Sequence, residues 1–254
     1  MTAPGKGSRV LAPAKLTKTL RVTGVRCDGM HLIDAEMVTL DLFDELTIDG
    51  TGSGLQLADG GGALADGGVE LDLSDNLVTR ALELAEVDAG VLLRKRIPAG
   101  AGLGGGSADA AAILRWAGFT DLSAAATIGA DVAFCLLGGR ARVQGIGEIV
   151  EPLPYIDEHF TVVTPDIHCS TPAVYRKWDE LGGPSGEHGN DLELAALQVA
   201  PRLAESRDAL GGATGLRPRL AGSGSSWFVN GAFPDAGMVL RTLPAESDKA
   251  VLAE

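Results

Sequence analysis

Apolar and polar positions alternate in short runs along this chain, and the runs switch between a period of two and a helical period. Residues 19–23, 37–40 and 46–48 carry β-branched and apolar side chains that predict strands. Residues 49–68 are rich in Gly, Ala and Asp and read as loops around short strands. Asp75 then stands as a helix N-cap, and Leu77, Ala81, Leu84 and Ala85 repeat at helical spacing. Residues 91–97 predict a strand, 107–116 a helix, 160–164 a strand and 172–181 a helix. One or two further helices are expected over 192–210. The stretch 220–230 opens on a Gly/Ser turn and ends in the β-like Trp227-Phe228-Val229. Strands and helices are interspersed without a fixed-period repeat, which predicts an α/β or α+β protein.

Composition sharpens this only in part. The 254 residues are 45% hydrophobic and 22% charged, enough apolar surface for one large domain or two modest ones. The net charge of −13 argues against general nucleic-acid binding, because a phosphate backbone repels an acidic surface. A phosphate-bearing small molecule needs only a local positive pocket and stays open as a partner. Cys27, Cys135 and Cys169 lack metal-ligand or redox spacing and read as reduced thiols. The first 16 residues lack the apolar core of a signal peptide, and no 18-residue apolar run occurs. The expectation is a cytoplasmic protein with no membrane partner.

The most informative segment is Pro98-Ala99-Gly100-Ala101-Gly102-Leu103-Gly104-Gly105-Gly106-Ser107-Ala108. It lies between a predicted strand and a predicted helix. Glycines admit positive φ and let a ligand approach the backbone amides. The helix start adds unpaired N–H groups and the positive end of its dipole, which together favour phosphate. Ser107 can offer its hydroxyl to a phosphate or to Mg²⁺. No lysine precedes Ser107, so this is not the Gly-Lys-Ser/Thr P-loop. Gly100-x-Gly102-x-x-Gly105 satisfies the dinucleotide fingerprint, with Asp121 at about the separation of its acidic partner, but no clear strand precedes Asp121.

The segment 98–111 resembles the central phosphate motif of the GHMP kinases, the galactose, homoserine, mevalonate and phosphomevalonate kinases. Ala12-Pro13-Ala14-Lys15 resembles that family's N-terminal motif, and Ala221-Gly222-Ser223-Gly224-Ser225-Ser226 its C-terminal glycine motif. Further blocks resemble the members that act on a cytidine diphosphate alcohol. They are Gly24-x-Arg26-x-Asp28-Gly29-x-His31, Leu42-x-Asp44-x-Leu46, Gly129-Ala130-Asp131-Val132, Gly145-x-Gly147-Glu148, Ser170-Thr171-Pro172 and Asn190-Asp191-Leu192. The chain departs from the pattern at Leu16-Thr17-Lys18, where Ile-Asn-Leu is usual, and at Met30, where a tyrosine is usual.

The resemblance implies an α+β fold of two domains, 1–150 with the phosphate-binding loop and 151–254, with the active site between them. It implies ATP and Mg²⁺, for which Ser107 is the candidate protein ligand on the residues themselves. It makes Asp131 the acceptor of the substrate's hydroxyl proton and Lys15 the charge that orients Asp131. Thr17, Met30, His31, Thr171 and Tyr175 fall at substrate positions, with the base between His31, Met30 and Tyr175 and His31 hydrogen-bonding a cytosine edge. On the residues alone, Asp131 also suits a helix cap, Thr171 an N-cap and Tyr175 core packing. Lys95 and Arg96 precede the loop and suit either nucleotide or solvent. A kinase of another small alcohol, a binding-only relative and a dinucleotide oxidoreductase remain as alternatives.

Overall fold

The computed structural model describes residues 7–58, 76–245 and 251–252. Its backbone is a long antiparallel hairpin of β1 (Ser8–Val25) and β2 (His31–Asp49). Only short pieces of this hairpin were legible, because buried polar residues interrupt the apolar pattern: Lys15, Thr17, Thr39 and Asp44 are all inside. The register shifts between Pro13 and Lys15, between Thr17 and Thr19, and between Val22 and Gly24. Pro13 has no N–H to give a ladder and sits at the first shift. Such irregularities re-aim the side chains beside them, and Lys15 and Thr17 occupy the stretch between two of them.

The other edge of β2 serves three partners in turn. β4 (Gly90–Arg94) pairs with Glu45 to Asp49, and β5 (Arg140–Gly145) pairs with Ile33 to Val38. Between them β10 (Met238–Leu243) meets Thr39 and Leu40. β10 also pairs with β7 (His159–Val163), and the sheet continues through β9 (Trp227–Asn230) to β8 (Arg219–Leu220). β3 (Gly54–Leu57) runs parallel to β4, β6 (Ile149–Pro152) extends β5, and β11 (Val251–Leu252) lies on β1.

Seven helices cover these strands among the described residues. α1 (Leu77–Leu84) is capped by Asn76, whose side chain accepts from the Val78 amide at 2.9 Å. The cap expected at Asp75 lies outside the described residues. α2 (Gly105–Trp116) begins two residues earlier than its apolar pattern indicated, since its first turn is glycine. Its alanines let it pack closely against α1, β1 and α4 (Val132–Leu137). α3 (Leu122–Ile128) was not foreseen; Asp121 caps it, accepting from the Ala124 amide at 3.0 Å. That engages the carboxylate a dinucleotide site would use, and the strands before and after the glycine loop, β4 and β5, each pair antiparallel with β2 rather than parallel with one another, so the loop does not open the βαβ unit such a site needs. The oxidoreductase alternative therefore falls. α5 (Thr171–Glu180) follows, and the last helical stretch divides into α6 (Glu193–Val199) and α7 (Leu203–Thr214). Phe160 and Phe228, fully buried and edge to face at 5.7 Å, anchor the second half of the core. The architecture is α+β, as expected.

Candidate functional site

A cavity of about 800 Å³ opens between the glycine loop, β1, the β1–β2 turn and α5. Its floor is the loop 98–108, which enters α2 through Gly104 at φ 70° with no side-chain cap. The first helical bond is donated by the Ala108 amide to the Gly104 carbonyl, so the amides of Gly105, Gly106 and Ser107 have no acceptor within the helix. These donors and the helix dipole face the cavity, an arrangement suited to an anionic group. Leu103 and Ala108 do not line it; both are buried in the core. The loop is locked from two sides. The Lys15 amide donates to the Leu103 carbonyl at 2.9 Å, and the Ser226 amide to the Ala101 carbonyl at 3.1 Å. A Cβ on Gly102 would lie 2.6 Å from the Ala221 carbonyl oxygen, so the two glycine turns touch backbone to backbone.

Above the loop, Lys15 Nζ lies 3.0 Å from Asp131 Oδ2 and donates to Thr17 Oγ1 at 3.1 Å. Lys15 and Thr17 are two apart on a strand and share its face. Asp131 stands at the N-cap of α4, yet its side chain makes no capping bond. Its carboxylate is turned to Lys15 instead. Gly147 packs beside it: a Cβ there would lie 2.1 Å from the Ala130 carbonyl oxygen. The Gly145–Glu148 block thus holds the backbone that carries Asp131, and Glu148 closes its own turn by accepting from the Ile146 amide at 2.6 Å.

Lys95 is not directed to solvent. Its ammonium bridges the buried carboxylates of Asp44 and Asp109, the latter at 2.7 Å. Asp44 also accepts from the amide of Ile97 at 2.8 Å and from that of Arg96, which fixes the exit from β4 into the loop. Burial pushes the Asp109 carboxyl up, Lys95 opposes this and Asp44 adds to it. The two carboxylates raise Lys95 despite its own burial. The Arg96 guanidinium pairs with Glu45 at 2.6 Å.

The far wall carries the expected substrate residues. His31 and Tyr175 pack directly against each other, ring centroids 4.6 Å apart, so a base has room against this pair and not between its members. Burial, then the Asp131 charge, pushes the Tyr175 phenol up and keeps it neutral. Met30, 47% exposed, lies on the rim. Thr171 is the first residue of α5, after an N-cap at Ser170, and its hydroxyl bonds Ser223 Oγ at 2.8 Å. That contact joins α5 to the second glycine turn. Asn190, which carried no role in the sequence, holds the same turn by donating to the carbonyls of Leu220 and Gly222 at 2.9 and 2.7 Å. Lys18 points away from the cavity's chemistry and pairs with Glu36 and Glu158 at 3.1 and 2.6 Å. Asp179, also unforeseen, pairs with His31 at 2.9 Å. Its signal was present in the helical spacing Tyr175, Trp178, Asp179.

The family model of the GHMP kinases N terminal domain matches residues 76–139, a span that takes in α1, the glycine loop and α4. A 4-diphosphocytidyl-2-C-methyl-D-erythritol kinase of Paracoccus denitrificans is 38% identical over 239 residues, covering 87% of this chain and 85% of its own. The kinase of that name from Ruegeria pomeroyi is 37% identical, with 89% and 88% covered. A crystal structure of 4-(cytidine 5'-diphospho)-2C-methyl-D-erythritol kinase superposes with a TM-score of 0.71 at 32% identity, over 92% of this chain and 98% of that one. The mevalonate kinase of L. major, at 12% identity and a TM-score of 0.59, shares the fold. The chain belongs to the 4-diphosphocytidyl-2-C-methyl-D-erythritol kinase family of GHMP kinases.

Proposed function

We propose that the chain transfers the γ-phosphoryl group of ATP to the 2-hydroxyl of 4-diphosphocytidyl-2-C-methyl-D-erythritol, with Asp131 and Lys15 as the groups that act on it. The observation that carries this reading is the 3.0 Å Lys15–Asp131 pair standing over the open N-terminus of α2. Phosphoryl transfer asks a protein for position and for charge rather than for covalent chemistry. The amides of Gly105, Gly106 and Ser107 would hold the phosphates. As the substrate oxygen bonds the γ-phosphorus and the bond to the β-phosphate oxygen breaks, Asp131 takes the hydroxyl proton. Lys15 aims Asp131 through their 3.0 Å contact and balances the charge on the transferring group.

Among the described residues no group of three or more His, Cys, Asp or Glu side chains could hold a metal ion. Mg²⁺ fits nevertheless, because it keeps most of its waters and rides on substrate phosphates. Ser107, whose residue lines the cavity, would be its protein ligand, and the ion would neutralise phosphate charge when bound. Thr17, Met30, His31, Thr171 and Tyr175 would form the substrate side. We keep 1–150 and 151–254 as the two domains, since the phosphate loop lies in the first and α5 with the Gly222 turn in the second. No helix among the described residues is long and apolar enough to cross a membrane. The buried thiols Cys135 and Cys169 suit a reducing, cytoplasmic setting.

The test is a coupled assay of ADP release across a panel of cytidine diphosphate alcohols and simple alcohols, with ATP and Mg²⁺. Turnover should require the cytidine diphosphate group. ADP release with a simple alcohol alone would transfer the assignment to another GHMP kinase reaction, and ATP binding without turnover on any alcohol would make the chain a binding protein.

A further inference from the structure

Tyr175, Trp178 and Asp179 are spaced i, i+3 and i+4 on α5, so the helix presents them on one face. That face meets a single residue at the start of β2. Asp179 Oδ1 lies 2.9 Å from His31 Nε2. The Tyr175 ring lies 4.6 Å from the His31 ring and the Trp178 ring meets it edge-on at 5.7 Å. Trp178 is itself pinned, donating from Nε1 to the Pro184 carbonyl at 2.9 Å. The His31 side chain is 13% exposed, and it lines the cavity together with Met30, Tyr175 and Asp179. Two aromatic contacts and one directed bond therefore fix the orientation of this imidazole.

A carboxylate only accepts hydrogen bonds. In the neutral imidazole, the nitrogen that faces it must carry the hydrogen, and the other nitrogen must be the acceptor. The Asp179 contact makes Nε2 the donor and leaves Nδ1 as the ring's acceptor. A cytosine edge offers an amino group at N4; uracil has a carbonyl oxygen at the same place. An amino group donates to Nδ1, whereas a carbonyl sets lone pair against lone pair.

We propose that Asp179 is a positioning residue that sets the tautomer of His31, so that the cavity takes the amino-bearing base and turns away the carbonyl-bearing one. This rests on the cytidine reading above. It adds a residue and a physical rule for the choice of base. A site built to hydrogen-bond one edge rejects the analogue that cannot answer it.

The experiment compares wild type, Asp179→Asn and Asp179→Glu on the cytidine diphosphate substrate and its uridine diphosphate counterpart. An asparagine can offer its amide N–H to Nε2, and so lets the ring hold its hydrogen on Nδ1. In Asp179→Asn the KM for the cytidine substrate should rise about tenfold, the size expected from one lost hydrogen bond. The cytidine-to-uridine ratio of kcat/KM should shrink by a similar factor. The KM for ATP should stay unchanged and kcat should stay within about twofold, because this pair does not touch the phosphate loop. Asp179→Glu, which keeps the carboxylate, should retain the ratio. Nitrogen NMR of histidine-labelled protein should report the hydrogen on Nε2 of His31 in wild type and its loss from that position in Asp179→Asn. An unchanged base ratio in Asp179→Asn, or a wild-type ring with its hydrogen on Nδ1, overturns the inference. A wild type active on the cytidine substrate yet indifferent to the base overturns it alone. A wild type inactive on both substrates overturns the functional reading beneath it, and the inference with it.

Discussion

The stem of Lys15 packs directly against Gly104: a Cβ built on that glycine would lie 2.6 Å from the Lys15 Cγ and 2.9 Å from its Cε. Gly104 also has φ +70°, a conformation that side chains resist. Gly104→Val should therefore displace both the loop and the lysine. ATP affinity by calorimetry should fall at least about tenfold, given a strain on the order of 1–3 kcal/mol. Wild-type affinity in a folded variant would remove the loop from the nucleotide site.

Asp131→Asn keeps the shape of the side chain and loses its basicity. The variant should fold, bind ATP as wild type does, and lose roughly 100-fold or more in kcat. Lys15→Met should lose turnover on a similar scale. Single-turnover rates with ATP saturating will separate chemistry from binding. If Asp131→Asn turns over normally, its carboxylate serves only its place at the start of α4.

Gly147→Ala tests the support under the base. The new Cβ would sit 2.1 Å from the Ala130 carbonyl oxygen, at φ +117°. Ala130 and Asp131 must move to admit it. A shift of about 1 Å at a reacting group can cost on the order of 100-fold, so kcat should drop while the KM for ATP holds, and the thermal midpoint should fall. A variant that loses stability but keeps kcat would separate this turn from the chemistry.

Met30 is on the cavity rim, where relatives in the resemblance carry a ring. Base–aromatic stacking is worth roughly 1–3 kcal/mol per base, so Met30→Tyr should leave the KM for a cytidine diphosphate alcohol unchanged or lower it. A raised KM would mean that the base does not approach this side. A non-reacting cytidine diphosphate alcohol at millimolar concentration should compete with substrate in both proteins.

Asp109 gives a pH signature. Burial raises its carboxyl, so between the ordinary Asp value near 4 and its raised value the folded state holds a proton that the unfolded chain releases. Stability then falls as pH rises through that window. Asp109→Asn fixes the neutral form and should flatten that part of the profile. Urea midpoints for both proteins from pH 4 to 8 decide it: parallel curves would show that Asp109 does not carry the dependence.

What could be read from the sequence was whatever announces itself locally. The glycine run, the helix behind it and the blocks around Lys15, Asp131 and His31 come together in one cavity. The long strands were fragmented on paper because Lys15, Thr17, Thr39 and Asp44 are buried for reasons of the site, which breaks the period-two pattern. α3 was missed because its short alanine-rich segment has almost no periodicity to detect. Asp44, Asn190 and Asp179 were quoted or passed over without a role, since each acts through a partner distant in sequence: Lys95, the Gly222 turn and His31. Spacing within a helix can propose that Tyr175, Trp178 and Asp179 face one way. It cannot say what they face.

β10 joins the two halves of the sheet. Residues Met238 to Arg241 are laddered to β7, and the next two, Thr242 and Leu243, to β2. There is no slack between those two sets of bonds for a hinge to use. Parting the two halves of the sheet would mean stripping one end of the strand from its neighbour. The placing of β2 relative to β7 is thus set during folding, before any ligand arrives. The glycine loop follows β4 and α5 follows β7, so the chain disorder given up in relating these two strands through the sheet is lost in folding rather than in binding.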